Sequence, residues 1–299
     1  MFRSGFVTIV GRPNVGKSTI INNIIGEKIS IISDKPQTTR NKIQAVYTDD
    51  ESQIIFIDTP GIHKPKNKLG EYMSQEIDSS LDGMDLVIFM TDERKSLGPG
   101  DKYIIDKIKE LKIPVFGVVN KIDINKNFQN ICKELETFDV FESIHSISAS
   151  EGTNIDKLIE KIKTIIPEGP KYYPDEYITD MPERFIIAEL IREKALNYLM
   201  QEVPHGVGVY IDKIEGSDDG NVININATIM CEKKSHKGII IGKQGSMLKK
   251  IGKASRKEIN KLLGSKTYLD LWVKVKKDWR DDEKTLKDLG YRDWWYNWY

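Results

Sequence analysis

Through the first half of the chain, short apolar runs alternate with segments of helical spacing. Phe6–Val10, Ile54–Ile57 and Val115–Val119 are nearly continuous in Val, Ile and Phe, and Ser143–Ile147 is a short, more polar strand-like segment. Runs of this length without polar alternation suit strands covered on both faces. Their alternation with helical segments over residues 5–166 predicts an α/β fold, a doubly wound, mostly parallel sheet flanked by helices. The period then changes. Residues 183–201 place Ile187, Leu190, Ile191 and Tyr198 on one helical face, and Val207, Val209 and Ile211 alternate as a strand. After a turn at Gly216–Gly220, a second strand carries Ile223, Ile225, Ala227 and Ile229. A helix over 246–263 groups Leu248, Ile251, Ile259 and Leu262 opposite Lys249, Lys250, Lys253 and Lys257, and Leu269, Leu271, Val273 and Val275 form a last strand. With a further short helix before residue 246, the order is α-β-β-α-α-β, an α+β arrangement. Pro167, Pro170, Pro174 and Pro182 punctuate the polar stretch between the halves, which predicts a semi-extended linker. The domains are therefore expected at 1–167 and 183–299, joined by 168–182.

A chain of 299 residues supports two cores. Its formal charge of zero hides an asymmetry: 23 Lys/Arg against 28 Asp/Glu in residues 1–180, and 22 against 17 thereafter. Between 233 and 277, 14 basic residues face only Glu258 and Asp270. Such a block suits a polyanion, although a solvated lysine face has the same composition. Cys132 and Cys231 are too few for a disulfide framework, and the four histidines show no metal-ligand spacing. A reducing cytoplasmic setting is the default. No apolar stretch reaches the length of a membrane span, so any membrane contact is expected to be peripheral.

The chemistry begins at Gly11-Arg12-Pro13-Asn14-Val15-Gly16-Lys17-Ser18, a complete G-x-x-x-x-G-K-[ST] loop between a strand and a helix that continues with Thr19. Backbone N–H groups of such a loop cradle a β-phosphate, Lys17 reaches the β/γ oxygens, and the Ser18 hydroxyl coordinates Mg²⁺. The base is read elsewhere. Asn120-Lys121-Ile122-Asp123 follows a strand, where open α/β sheets bind ligands. Asp123 suits the N1–H and exocyclic amine of guanine, Asn120 would fix the loop, and the Lys121 stem would lie along the ring. Ser148-Ala149-Ser150 can offer a backbone N–H to the guanine O6. Asp58-Thr59-Pro60-Gly61 closes another strand, placing a carboxylate for Mg²⁺ and a free N–H at Gly61 for the γ-phosphate. In Pro36-Gln37-Thr38-Thr39-Arg40 a threonine can complete the Mg²⁺ shell, and the sequence does not separate Thr38 from Thr39. The expected cofactors are GTP/GDP and Mg²⁺. Lys17, Thr38, Thr39 and Gly61 are the catalytic candidates, with Ser18, Thr38, Thr39 and Asp58 at the metal.

Together these motifs resemble the translational-GTPase-related class of small bacterial GTPases. One position departs from Ras-like enzymes: the water-orienting Gln after D-x-x-G is replaced by Ile62. An isoleucine cannot hydrogen-bond water, so slow intrinsic hydrolysis is expected, with His63 and Arg40 as neighbouring substitutes. In the second half, Gly242-Lys243-Gln244-Gly245 between two short helices resembles the KH RNA-binding domain in its bacterial, type II topology. That resemblance implies RNA contacts at Lys237, Gly242, Lys243, Gln244, Gly245, Lys249, Lys250 and Lys253. A P-loop GTPase domain followed by a type II KH domain is similar to the Era family, and the likeness extends to Trp279-Arg280-Asp281-Asp282 and Leu289-Gly290-Tyr291. It implies GTP hydrolysis coupled to binding of small-subunit rRNA near its single-stranded 3′ end, a role in 30S subunit assembly, a monomer, and loose association with the inner face of the cell membrane. The aromatic terminus (Trp294, Trp295, Tyr296, Trp298, Tyr299) departs from the family pattern and suits base stacking, a membrane interface or packing on the domain. Two rival readings are a non-enzymatic RNA-binding scaffold and an RNA-modification GTPase.

Overall fold

The computed structural model describes residues 1–35, 37–62, 65–92, 95–217 and 222–291. Pro36, His63, most of the turn expected at 216–220, and the aromatic terminus therefore lie wholly or partly outside the described residues. The chain forms two compact units. The first takes the described residues of 1–30, 39–64 and 73–180, and the second those of 31–38, 65–72 and 181–299.

In the first unit, β1 (Arg3–Gly11), β2 (Ile43–Thr48), β3 (Ser52–Asp58), β4 (Leu86–Thr91), β5 (Val115–Val119) and β6 (Ser143–Ser146) form one sheet in the order β2-β3-β1-β4-β5-β6. All pairings are parallel except β2 with β3. Every residue of β3, β4 and β5 is buried, as expected of strands covered by helices on both faces. Those helices include α1 (Lys17–Ile25), α2 (Lys68–Ser79), α3 (Pro99–Ile108), α4 (Phe128–Glu136) and α5 (Ile155–Ile165). The first residues of α2 belong to the second unit. Ile104, Ile105 and Ile108 of α3 and Ile131 and Leu135 of α4 pack with Val87, Phe89, Val115 and Val119 in one cluster. β2, an antiparallel edge strand, was not foreseen: only Ile43, Ala45 and Val46 face the interior, too few to set a period.

The proline-bearing segment expected as a linker is largely bound to this unit. Gln53 of β3 accepts from the backbone N–H groups of Tyr172 (2.7 Å) and Tyr173 (3.0 Å), and its amide donates to Tyr173 O at 2.9 Å. Farther along, Val46 N donates to Ile178 O at 2.9 Å. Tyr173 and Tyr177 stack with centroids 4.7 Å apart and join Val46, Ile55 and Ile57. These contacts explain why 168–180 takes a fixed course.

The second unit runs α6 (Glu183–Tyr198), β7 (Gly208–Gly216), β8 (Val222–Cys231), α7 (Lys234–Ile241), α8 (Ser246–Leu263), β9 (Lys266–Val275) and α9 (Glu283–Asp288). β8 is central, antiparallel to β7 and parallel to β9. Helix α6 is more deeply buried than its apolar stripe predicts, since Glu189, Arg192 and Glu193 are enclosed too. They hold the segment 31–38: Ile32 N donates to Glu193 Oε1 at 3.0 Å, while the Arg192 guanidinium donates to Thr38 O and, at 2.6 Å, to Glu189. The Trp279-Arg280 motif is structural: Trp279 is fully buried and donates to Gly206 O at 2.9 Å, and Arg280 grips Glu232 through two 2.8 Å bonds. Tyr291 is buried beside Trp279, with ring centroids 6.4 Å apart. Cys132 is half-buried on α4 of the first unit, and Cys231 is buried at the end of β8 in the second.

Candidate nucleotide and nucleic-acid sites

The nucleotide motifs meet at the carboxyl ends of β1, β3, β5 and β6, the edge where open α/β sheets bind ligands. The loop after β1 needs its glycines. A Cβ on Gly11 would stand 2.4 Å from Met90 O, and one on Gly16, at φ 108°, would stand 2.2 Å from Asn120 Nδ2. Asn14 is also left-handed, at φ 67°. Gly61 is excluded from growing by Pro13, whose backbone a Cβ would meet at 2.7 Å. Val15 is fully buried, and Thr19 lies in the first turn of α1.

Lys17 is buried, and its Nζ donates to Gly11 O (3.1 Å) and Arg12 O (3.0 Å). Burial lowers its pKa to about 8, against the opposing pull of Asp58. Ser18 Oγ donates to Asp58 Oδ2 at 2.7 Å and lies 3.0 Å from Thr39 Oγ1. Asp58 is fully buried; desolvation pushes its carboxyl upward, opposed by Lys17 and Ser18. Its Oδ1 has no hydrogen-bond partner among the described residues. A buried carboxylate with a spare oxygen, beside two hydroxyls, is a donor set that fits a hard divalent cation. The structure brings Thr39 here and leaves Thr38 out: the Thr38 hydroxyl donates to Lys35 O at 2.6 Å. The metal and catalytic roles expected of Thr38 therefore have no geometric support, because its side chain caps its own turn. Thr59 donates to Ile9 O at 2.7 Å and Pro60 is buried, which fixes the course of the chain into Gly61.

Asn120 joins the loops. Its amide donates to Val15 O at 2.7 Å, and its Oδ1 accepts from Ala149 N at 2.9 Å. Asp123 Oδ1 accepts from Ser148 Oγ at 2.6 Å. Lys121, at φ 62°, extends its Nζ to Asn14 O at 2.8 Å and to Asp92 at 2.6 Å. Asp92 also receives Arg12 at 3.2 Å, while Arg12 Nε donates to Asp101 at 2.8 Å. Arg12 thus engages carboxylates rather than standing open to a phosphate. Asp92 and Asp101 were not foreseen, and the available signal was the place of Asp92 at the end of a buried strand. Ile62 packs against the Val10–Leu97–Ile104 cluster, consistent with a residue that takes no part in placing water. Arg40 is buried, and His63 lies outside the described residues.

In the second unit the G-x-x-G turn joins α7 to α8. Gly242 (φ 74°), Gln244 (φ 52°) and Gly245 (φ 75°) are left-handed. A Cβ on Gly242 would meet Met247 N at 2.8 Å, whereas one on Gly245 would meet nothing within 4 Å. Gly245 is thus required by its backbone and leaves open space, which a close-approaching backbone can use. Lys237, Lys243, Gln244, Lys249 and Lys253 are exposed around it. Lys250 is exposed too, with its Nζ 4.3 Å from the Tyr198 ring centroid, a cation–π contact.

A phosphate loop and a guanine-reading loop on one sheet, with a G-x-x-G turn on a separate unit, define a P-loop GTPase that carries a KH domain. Residues 6–121 match the family described as 50S ribosome-binding GTPase, and residues 202–280 match the KH domain. GTPase Era of Alkaliphilus oremlandii is 59% identical over 97% of this chain and 99% of its own length. GTPase Era of Clostridioides difficile is 54% identical over 98% and 100%. The crystal structure of Era in complex with MgGDPNP and nucleotides 1506–1542 of 16S ribosomal RNA superposes with a TM-score of 0.94 at 41% identity, covering 98% of this chain and 100% of that one. A variant of Aquifex aeolicus Era bound to GDP and AlF₄⁻ matches with the same score, identity and coverage. The chain belongs to the GTPase Era family.

Proposed function

We propose that this GTPase uses GTP and Mg²⁺ to switch its hold on the single-stranded 3′ region of small-subunit rRNA during 30S subunit assembly. The observation that carries this reading is the convergence of Ser18, Thr39 and Asp58 oxygens beside Lys17, in a chain that also presents a G-x-x-G turn. Ser18, Thr39 and Asp58 would hold Mg²⁺, which supplies charge neutralisation to the phosphates. Lys17 would leave the carbonyls of Gly11 and Arg12 for the β/γ oxygens, and the Gly61 N–H would meet the γ-phosphate. Asp123 would accept from guanine, with Asn120 holding the loop and the Ala149 N–H near O6. Thr39 and Gly61 would meet the γ-phosphate side only with GTP bound, so their segments would order with GTP and relax on hydrolysis. In the second unit the Gly242–Gly245 turn would press on the RNA backbone, with Lys237, Lys243, Lys249 and Lys253 neutralising phosphates. The related structure bound to MgGDPNP and 16S rRNA nucleotides 1506–1542 supports both halves of this reading.

The test is single-turnover GTP hydrolysis with and without a 16S rRNA 3′ fragment, with Lys17→Ala as control. Acceleration by RNA that disappears in the control is the expected result. Tight RNA binding with unchanged hydrolysis would instead favour an RNA-binding scaffold. No helix among the described residues is long and apolar enough to cross a membrane.

A further inference from the structure

Asp92 stands where neither the phosphate loop nor the base-reading loop claims it, yet it touches both. At the end of β4, its carboxylate is about four-fifths shielded from solvent and receives Lys121 Nζ at 2.6 Å and Arg12 at 3.2 Å. Lys121 then reaches Asn14 O at 2.8 Å, and Arg12 reaches the wholly buried Asp101 carboxylate at 2.8 Å. The series Asp101–Arg12–Asp92–Lys121–Asn14 leaves the phosphate loop at residue 12 and re-enters it at residue 14. No sequence motif marks its middle member.

We propose that Asp92 is a positioning residue for guanine nucleotides: it pins the Lys121 ammonium so that the lysine stem is held extended along the face of the base. The inference rests on the reading of this site as one that takes GTP and GDP. Two physical effects of Asp92 oppose each other. As a carboxylate close enough to raise the Lys17 pKa, it repels a bound polyphosphate. As an anchor for Lys121, it favours the base. Without Asp92, Lys121 keeps only a neutral carbonyl, and a four-carbon stem regains its rotamers. Arg12 keeps its anchor at Asp101, so the phosphate loop is not released. If repulsion dominated, removing the charge would tighten nucleotide binding; if positioning dominates, removal weakens it.

The experiment measures GDP and inorganic pyrophosphate binding by the full chain and its Asp92→Asn variant, with Lys121→Met and the double variant completing a cycle. We expect Asp92→Asn to weaken GDP about tenfold, through faster release, while pyrophosphate changes by less than twofold. KM for GTP should rise with kcat within twofold. In the Lys121→Met background, Asp92→Asn should cost nothing further, because Asp92 acts through that lysine. GDP binding that is unchanged or tighter in Asp92→Asn would overturn the proposal, as would an equal loss of GDP and pyrophosphate or full additivity with Lys121→Met. Should Asp92→Asn fail to fold, Asp92→Glu, which keeps the charge and displaces it, carries the same comparisons. Failure of the unaltered protein to bind GDP would refute the nucleotide reading itself, a separate outcome.

Discussion

Lys17 shows what burial does to a single charge. Desolvation lowers its pKa from 10.5 to about 8 even with Asp58 nearby. The folded chain therefore releases this proton near pH 8 and the unfolded chain near 10.5. Between those values the unfolded state binds more protons, so stability from this group rises with pH, and below 8 the buried charge costs about 3 kcal/mol. A bound polyphosphate needs the charged form. We predict GDP affinity that is flat below pH 8 and declines above it, by up to tenfold per unit, with the slope absent in Lys17→Ala; a flat titration of the unaltered protein to pH 9.5 would refute this. At this scale the phosphate, base and RNA motifs were legible because their spacing is dictated by the ligand. The choice between Thr38 and Thr39 was not, because it depends on which hydroxyl turns inward, a matter of a single peptide's orientation. Nor were Asp92 and Asp101, whose partners lie some 80 and 89 residues away in the sequence.

Among the elements, the buried strands were readable from apolar runs that needed no partner to be recognised. What escaped the sequence was structure created by distant backbone groups. The course of 168–180 is the example, since Gln53 supplies it with two acceptor bonds and one donor bond. Replacing Gln53 by Ala would leave the Tyr172 and Tyr173 N–H groups without their acceptor, at roughly 1–3 kcal/mol for each that water cannot reach. The expected outcome is a lower Tm and faster proteolytic cleavage within 168–180, with GDP affinity retained. Cleavage at the unaltered rate would mean that the tyrosines alone hold the segment. The burial of α6 was likewise underestimated, because its polar residues are enclosed by a segment more than 150 positions earlier.

For the molecule as a whole, a formal charge of zero is a poor guide to its partners. The lysines of α7 and α8 set a local field that the acidic first half cancels only in the sum. Each phosphate neutralised on a single strand contributes about 0.7 to the slope of log affinity against log salt. Lys249→Gln with Lys253→Gln should lower that slope for a single-stranded 16S rRNA 3′ fragment by about 1.4. An unchanged slope would show that these two side chains stay in solvent. The cysteines offer a different kind of access. Cys132 and Cys231 fall one in each compact unit, the first half-buried and the second wholly enclosed. A thiol reagent can modify Cys231 only when its surroundings open, so its labelling rate clocks the breathing of the second unit, while the half-exposed Cys132 is reached without such opening and serves as an internal reference. The native sequence thus carries a built-in timer and its own reference, and the warming at which Cys231 labelling approaches that of Cys132 would mark where the second unit yields.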